Sequence, residues 1–271
     1  MEATPWLPAA AAAFLFAAER LSPLRVRTRR SMPRLLVNGA VSLLTLLVAF
    51  TLVSPSTHAA MAWDCTHRFG LIPLVGLTGP AELAAGFLLM DLSFYYWHTA
   101  NHRVPLLWRF HNIHHADPDL DLSTGFRFHP GEVAISAFFR VLQVAALGIT
   151  PRVYLAYEFV FQLATFFHHS NLRLPMGVER VLNWAIVTPR MHGIHHSNYR
   201  DEADSNYSVV FSVWDRVHGS LRLGVPQDAV IIGVPAYAKG KDNALLELLA
   251  IPFKRQRDYW RTPTGERLSR E

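Results

Sequence analysis

Long apolar runs separated by short polar segments dominate the chain. The first, from Pro8 to Ala18, is rich in alanine and follows Glu2 instead of a basic stretch, so it reads as a retained helix in preference to a cleaved signal peptide. A second runs from Val37 to Val53 and is long enough to cross a bilayer. The segment from Ser54 to Phe69 is expected as an exterior loop, and the chain returns through an apolar region from Gly70 to Tyr96. Pro73 and Pro80 break that region, so its spanning helix is placed from near Ala81 to near His98, with Leu71 to Leu77 a short re-entrant or interfacial piece. The stretch from Val133 to Phe167 is interrupted at Gly148-Ile149-Thr150-Pro151 and is expected as a helical hairpin that enters and leaves on one side. Arg140 and Glu158 stand inside its two arms at similar distances from the turn. Isolated charge is expensive there, so they are expected to face each other or a polar cavity.

Charge fixes the orientation of this pattern. Arg20, Arg25, Arg27, Arg29, Arg30 and Arg34 crowd the segment between the first two runs, which places it on the cytoplasmic side, and both flanks of the hairpin then follow. Beyond residue 170 no further span is evident, and Phe253 to Arg270 is basic with Tyr259 and Trp260 interleaved, as expected of a cytoplasmic cap. Composition agrees: 51% of residues are hydrophobic and 17% charged, too apolar for an ordinary soluble domain, and a nucleic-acid partner would explain the net charge of +5 but not the hydropathy. The expected architecture is all-α and integral to the membrane, with about four transmembrane helices and a cytoplasmic, histidine-rich helical cap. N-terminal membrane helices occupy 1–80, a catalytic unit 81–220 and a basic tail 221–271.

The chemistry lies in histidine. With Cys65 the single cysteine, neither an intrachain disulfide nor a CxxC metal site is possible, and any metal must rest on imidazole or carboxylate. Most of the 14 histidines form three clusters. His98 and His102 stand one helical turn apart on one face. His111, His114 and His115 follow with H-x2-H-H spacing, and His192, His195 and His196 repeat it about 80 residues later. A mononuclear site needs three or four protein ligands, so eight imidazoles suit two metals. All three clusters begin where apolar spans stop, on the side assigned to the cytoplasm.

These residues resemble the fatty acid hydroxylase and sterol desaturase superfamily of membrane di-iron enzymes. The resemblance covers roughly Leu83 to Ser220. It rests on DLSFYYWHTANH from Asp91, LWRFHNIHH from Leu107, RFHPGE from Arg127, HSN from His169, TPRMHGIHH from Thr188, and Asn206-Tyr207 followed by Trp214-Asp215-Arg216. It implies that His98, His102, His111, His114, His115, His192, His195 and His196 are iron ligands, with His169 a ninth. Thr165 stands where some members carry a further ligand, and His168 is expected to point elsewhere. His129 is read as structural or supporting, and His218, where the family usually has an aromatic, as a non-ligand; His58 and His67 fall in the exterior segment. Asp91, Asp204 and Asp215 are candidates to orient imidazoles through hydrogen bonds.

The resemblance implies an O2-dependent oxidoreductase that hydroxylates or desaturates a lipid at a pair of iron ions. No G-x-G-x-x-G fingerprint is present, so electrons would come from a separate reductase or a ferredoxin- or cytochrome-type donor. Two other classes compete. A zinc hydrolase would call for an HExxH helix, and none occurs. A membrane metal-binding protein or b-type cytochrome would carry paired histidines within its spans instead of at their ends.

Overall fold

Prolines and glycines set the element boundaries in the computed structural model, which describes residues 6–268; Glu2 and Arg270 lie outside them. The alanine-rich run forms α1 (Trp6–Leu21) and the second run α2 (Ser31–Val48). The expected loop after α2 is instead helical: a π turn at Ala49–Val53 leads directly into α3 (Ser54–His67). Pro55 lacks the N–H that would continue the α ladder, and the wider π turn just ahead of it absorbs the break without ending the helix. The helix stops at Arg68, whose φ of 50° is left-handed, and α4 (Leu71–Leu74) is the short piece expected there.

Helices α5 (Gly79–Arg103), α6 (Pro105–His115), α7 (Pro130–Leu147) and α8 (Pro151–His169) each carry proline in the first turn, where its missing N–H costs no helical bond. The hairpin of α7 and α8 forms as expected. Its turn requires Gly148, which has φ of 69° and whose place a Cβ could not share with the Phe69 carbonyl and the Pro73 ring. Shorter helices complete the chain: α9 (Met176–Ala185), α10 (Pro189–His195), α11 (Arg200–Ala203), α12 (Val213–Val217) and α13 (Leu245–Ala250). Among the described residues there are only isolated β-bridges and no strand.

One core lies between α5, α7 and α8, with Met90 and Phe94, Val144, and Val153 and Tyr157 packed against Met61 of α3. A second joins Val41 of α2 and Trp108 and Ile113 of α6 to Val234, Tyr237, Leu248 and Ile251. The segment after residue 220, expected as a basic tail, therefore has part of its apolar residues in a core shared with α6, and Trp260 stacks on Trp108.

Among the described residues, two stretches are long and apolar enough to cross a membrane: Ser31–Leu74, whose most apolar 18-residue window has a mean hydropathy of 2.2, and Pro130–Leu147, of 1.3. Only 22% and 28% of these windows is buried, so neither is the enclosed core helix of a soluble protein. Leu36, Leu43, Leu47 and Phe50 along one and Phe138 and Leu142 along the other remain exposed. The arginine-rich segment after α1 packs at the histidine end of the bundle, with Leu24 N–H on the Asn171 carbonyl and Thr28 N–H on Asp119. Its arginines are not all free for headgroups. Arg34 is buried and forked onto Asp117, with a further contact to Asp121.

Candidate metal centre

Helix periodicity distributes the histidines between two groups. Residues four apart share a face, whereas the residue three along is rotated toward the other side of the stripe. In α6, His111 and His115 accordingly join His98 and His102 of α5, while His114 turns the other way. In and just after α10 the arrangement is reciprocal: His192 and His196 join His114 and His169, while His195 crosses to the first group. Among the described residues, the nine histidines singled out in the sequence thus form one group of five (His98, His102, His111, His115, His195) and one of four (His114, His169, His192, His196). Within each group the nitrogens lie within 4.8 Å of one another.

Hydrogen bonds to the far nitrogen fix several tautomers. His98 Nδ1 donates to the Tyr207 carbonyl at 2.8 Å, His195 Nδ1 to the Ser205 carbonyl at 2.7 Å, and His169 Nδ1 to the Thr165 carbonyl at 2.9 Å. A carbonyl only accepts, so each Nε2 is left as a lone pair aimed into its group. His111 Nδ1 donates to Glu132 Oε1 at 2.8 Å with the same effect. In the group of four, Nε2 of His169 lies 3.0 Å from Nε2 of both His114 and His192, and Nε2 of His196 lies 3.1 Å from that of His192.

Lone pairs so directed repel unless a cation lies among them. Nε2 of His111, His115 and His195 and both ring nitrogens of His102 are buried without a hydrogen-bond partner. Burial, aided by the neighbouring rings, pushes the imidazoles of His114, His115, His192, His195 and His196 well below the ordinary histidine value, so they are neutral at pH 7, the form in which an imidazole can bind a metal. All-nitrogen donor sets with no thiolate fit transition ions such as iron.

The surrounding residues divide differently from the sequence expectation. Asp91 orients no imidazole. Its carboxylate accepts from the Val210 and Phe211 N–H groups, Trp214 Nε1 and the Tyr157 hydroxyl, tying α5 to the loop beneath it. Asp215 acts one step removed, holding the Tyr207 and Ser208 N–H groups while the Tyr207 carbonyl receives His98. Asp204 lies 3.7 Å from His102 Nδ1, too far for a hydrogen bond. His129 caps α7 by accepting the Gly131 N–H, and His218 pairs with the Tyr96 hydroxyl on the surface. His58 and His67 are exposed. His168 is buried with its ring centroid 4.2 Å from that of His192 but belongs to neither group. Glu132 was not singled out by sequence, although the RFHPGE element contains it. The carbonyls of Thr165, Ser205 and Tyr207 carry no side-chain signal at all.

Both groups border a cavity of about 390 Å³. Phe94, Trp97, Phe128 and Phe161 supply much of its apolar wall, and it extends past Phe50 of the π turn.

Residues 83–220, about half of the chain and including all nine histidines, match the fatty acid hydroxylase family model. Human alkylglycerol monooxygenase is 32% identical over 137 residues, 50% of this chain and 29% of that protein. Human cholesterol 25-hydroxylase is 30% identical over 138 residues, 50% and 49% of the two chains. The ornithine lipid hydroxylase of Rhizobium tropici is 27% identical over 176 residues, 65% and 51%. The matched regions span between about a third and a half of these relatives' lengths. No solved structure matches the chain. The family match, over a region whose nine histidines converge in two buried groups, establishes that this chain belongs to the fatty acid hydroxylase family.

Proposed function

We propose that the protein is an integral-membrane, di-iron lipid hydroxylase that crosses the bilayer about four times and presents its histidines on the cytoplasmic side. The observation that carries this reading is the meeting of two buried, all-imidazole groups with an apolar cavity bordered by α2 and α7, whose outer faces expose apolar side chains. Similarity to an alkylglycerol monooxygenase, a cholesterol hydroxylase and an ornithine lipid hydroxylase supports lipid as the substrate class. In addition to the two apolar stretches, α5 and α8 would complete the crossings, their polar side chains turned toward the bundle interior.

His98, His102, His111, His115 and His195 would hold one iron, and His114, His169, His192 and His196 the other. Such a pair supplies the redox chemistry that side chains lack: RH, O2, two electrons and two protons become ROH and water, the electrons coming from a separate reductase, ferredoxin or cytochrome. The protein's own part is positional. Tyr207, Ser205, Thr165 and Glu132 hold the imidazoles in their metal-binding tautomers, and the phenylalanine-lined wall keeps water from the reacting carbon.

Mössbauer spectroscopy with metal analysis on protein grown in iron-57 tests the reading, comparing the wild type with His195→Ala and His114→Ala, which strike different groups. Two irons per chain, with one site lost or altered in each variant, is the expected result. A protein that binds no iron, or whose two variants bind iron as the wild type does, is not this enzyme. Product analysis with lipid substrates then separates hydroxylation from desaturation.

A further inference from the structure

The cavity that meets the histidines has a largely apolar wall, broken by Ser42, Thr45, Ser136, Gln162 and Thr165 and, away from Glu132 at the histidine end, by one pair of opposite charges. Arg140 Nη1 and Glu158 Oε1 form an ion pair at 2.6 Å between α7 and α8, and both residues line the cavity. The guanidinium also lies over the Phe94 ring at 4.2 Å. The pair is not sealed between the helices: the Glu158 side chain retains 31% exposure beside an Arg140 side chain at 9%. Charged groups at membrane depth are costly and face cavities or pathways when they persist.

Its position along the cavity is set by helix geometry. Arg140 stands eight residues beyond Glu132, the partner of His111, and Glu158 eleven residues before His169, distances of about 12 and 16 Å at 1.5 Å per residue. Ser136, Gln162 and Thr165 line the interval. An extended chain advances about 1.2 Å per bond, so the interval corresponds to on the order of ten to thirteen bonds. The pair is net neutral. A carboxylate or phosphate would bring an uncompensated charge into an apolar space, whereas a hydroxyl can donate to Glu158 and accept from Arg140 at once.

Resting on the reading of the histidine groups as the oxidising centre, we propose that Arg140 and Glu158 anchor the remote hydroxyl group of a neutral lipid, holding on the order of ten bonds away the carbon that is oxidised. The pair thereby determines both which lipids enter and which carbon meets the metals. The structure selects hydroxyl-bearing chains over bare hydrocarbon, and chains that reach the histidines over shorter ones.

The test reads binding in metal-free protein in lipid nanodiscs, by bromine quenching of Trp97, which lines the cavity next to His98. The probes are a straight-chain alcohol of about twelve carbons with bromine at the far end, its methyl ether, and the alkyl bromide of equal length. Trp97→Phe identifies that residue's share of the signal. The alcohol is expected to bind about tenfold more tightly than the alkyl bromide, and the double variant Arg140→Met/Glu158→Leu to abolish that preference while leaving the alkyl bromide unchanged. Equal binding of alcohol and bromide by the wild type, or a preference that survives the double substitution, overturns the proposal. Should the double variant fail to fold, the ether decides the matter in the wild type. It cannot donate to Glu158, and binding as tight as that of the alcohol rejects the anchor. Because no metal is present, these outcomes are independent of iron loading and turnover, on which the proposed function stands or falls.

Discussion

His111 Nδ1 and Glu132 Oε1 lie 2.8 Å apart, joining a histidine of α6 to the first turn of α7. The bond places the His111 lone pair on Nε2, where its group converges, and the nearly buried carboxylate fixes the orientation of the ring. Replacing Glu132 by alanine should leave all nine histidines in place and yet weaken metal binding at the group of five about 10- to 100-fold. Competition with a chelator of known affinity measures this, and Glu132→Gln, which still accepts a hydrogen bond, should recover part of the loss. Unchanged affinity in Glu132→Ala would remove the orienting role.

The crossing of the two H-x2-H-H elements makes a second prediction, because neighbouring histidines serve different groups. His114→Ala and His115→Ala alter adjacent residues but should each remove metal from a different group. Anomalous scattering or Mössbauer spectra should show the loss at one site in the first variant and at the other in the second. Loss at the same site in both would mean that the two groups do not act as separate ligand sets.

Much of this arrangement is legible in the sequence. The histidine spacing identifies eight of the nine residues, the family resemblance adds His169, and Gly148 to Pro151 marks the hairpin that returns His169 to the others. The facing of Arg140 and Glu158 follows from their similar distances from that turn and from the cost of isolated charge. Other features do not follow. Ser54-Pro55-Ser56-Thr57-His58 reads as loop because it is polar and contains proline, and only the π turn before Pro55 lets the helix continue. The full division is absent from spacing alone: periodicity separates the middle histidine of each H-x2-H-H from the other two, but does not say that His195 joins His111 and His115 while His114 joins His192 and His196. Asp91 lies two turns before His98 on the same face and so suggested an imidazole partner. The loop of residues 206–214 reaches it first, a long-range contact that local periodicity does not encode.

That contact makes Asp91 a stability residue. It accepts four hydrogen bonds in a fully buried position, and Asp91→Ala leaves the Val210 and Phe211 N–H groups and Trp214 Nε1 without an acceptor. The expected cost is on the order of 3 kcal/mol. Thermal unfolding in detergent should show it as a clear fall in apparent Tm, with metal affinity in the surviving folded fraction close to normal. A selective loss of metal with unaltered Tm would restore Asp91 to the orienting role that the sequence suggested.

Arg34 supports a related prediction on α2. Its guanidinium binds Asp117 through two nitrogens at 2.6 and 2.8 Å and Asp121 at 2.6 Å, with all three side chains buried. Arg34→Met roughly keeps the volume but removes the closest cation from two buried carboxylates, which retain only the more distant Arg20, Arg27 and Arg127, at a cost of about 3 kcal/mol. Arg34→Lys should recover only part, because an ammonium cannot reproduce the forked contact. Equal stability of the methionine variant and the wild type would show that the network contributes nothing.

Acid should undo the metal centre from the protein side. His114, His115, His192, His195 and His196 all have values depressed well below that of a free histidine, chiefly through burial. In the unfolded chain these rings take up protons near pH 6.5, whereas in the folded protein they resist protonation. Below that pH the unfolded state therefore binds more protons, so the stability these histidines contribute is fully present above about pH 6.5 and is lost as pH falls. Each proton of difference removes about 1.4 kcal/mol per pH unit, and several coupled rings steepen the slope. Metal-free protein should thus show an apparent Tm that falls steeply between pH 6.5 and 5. Bound metal should shift the fall to lower pH, because protons and metal compete for the same nitrogens. A Tm that stayed flat through this range in metal-free protein would mean that the rings are not held neutral by burial.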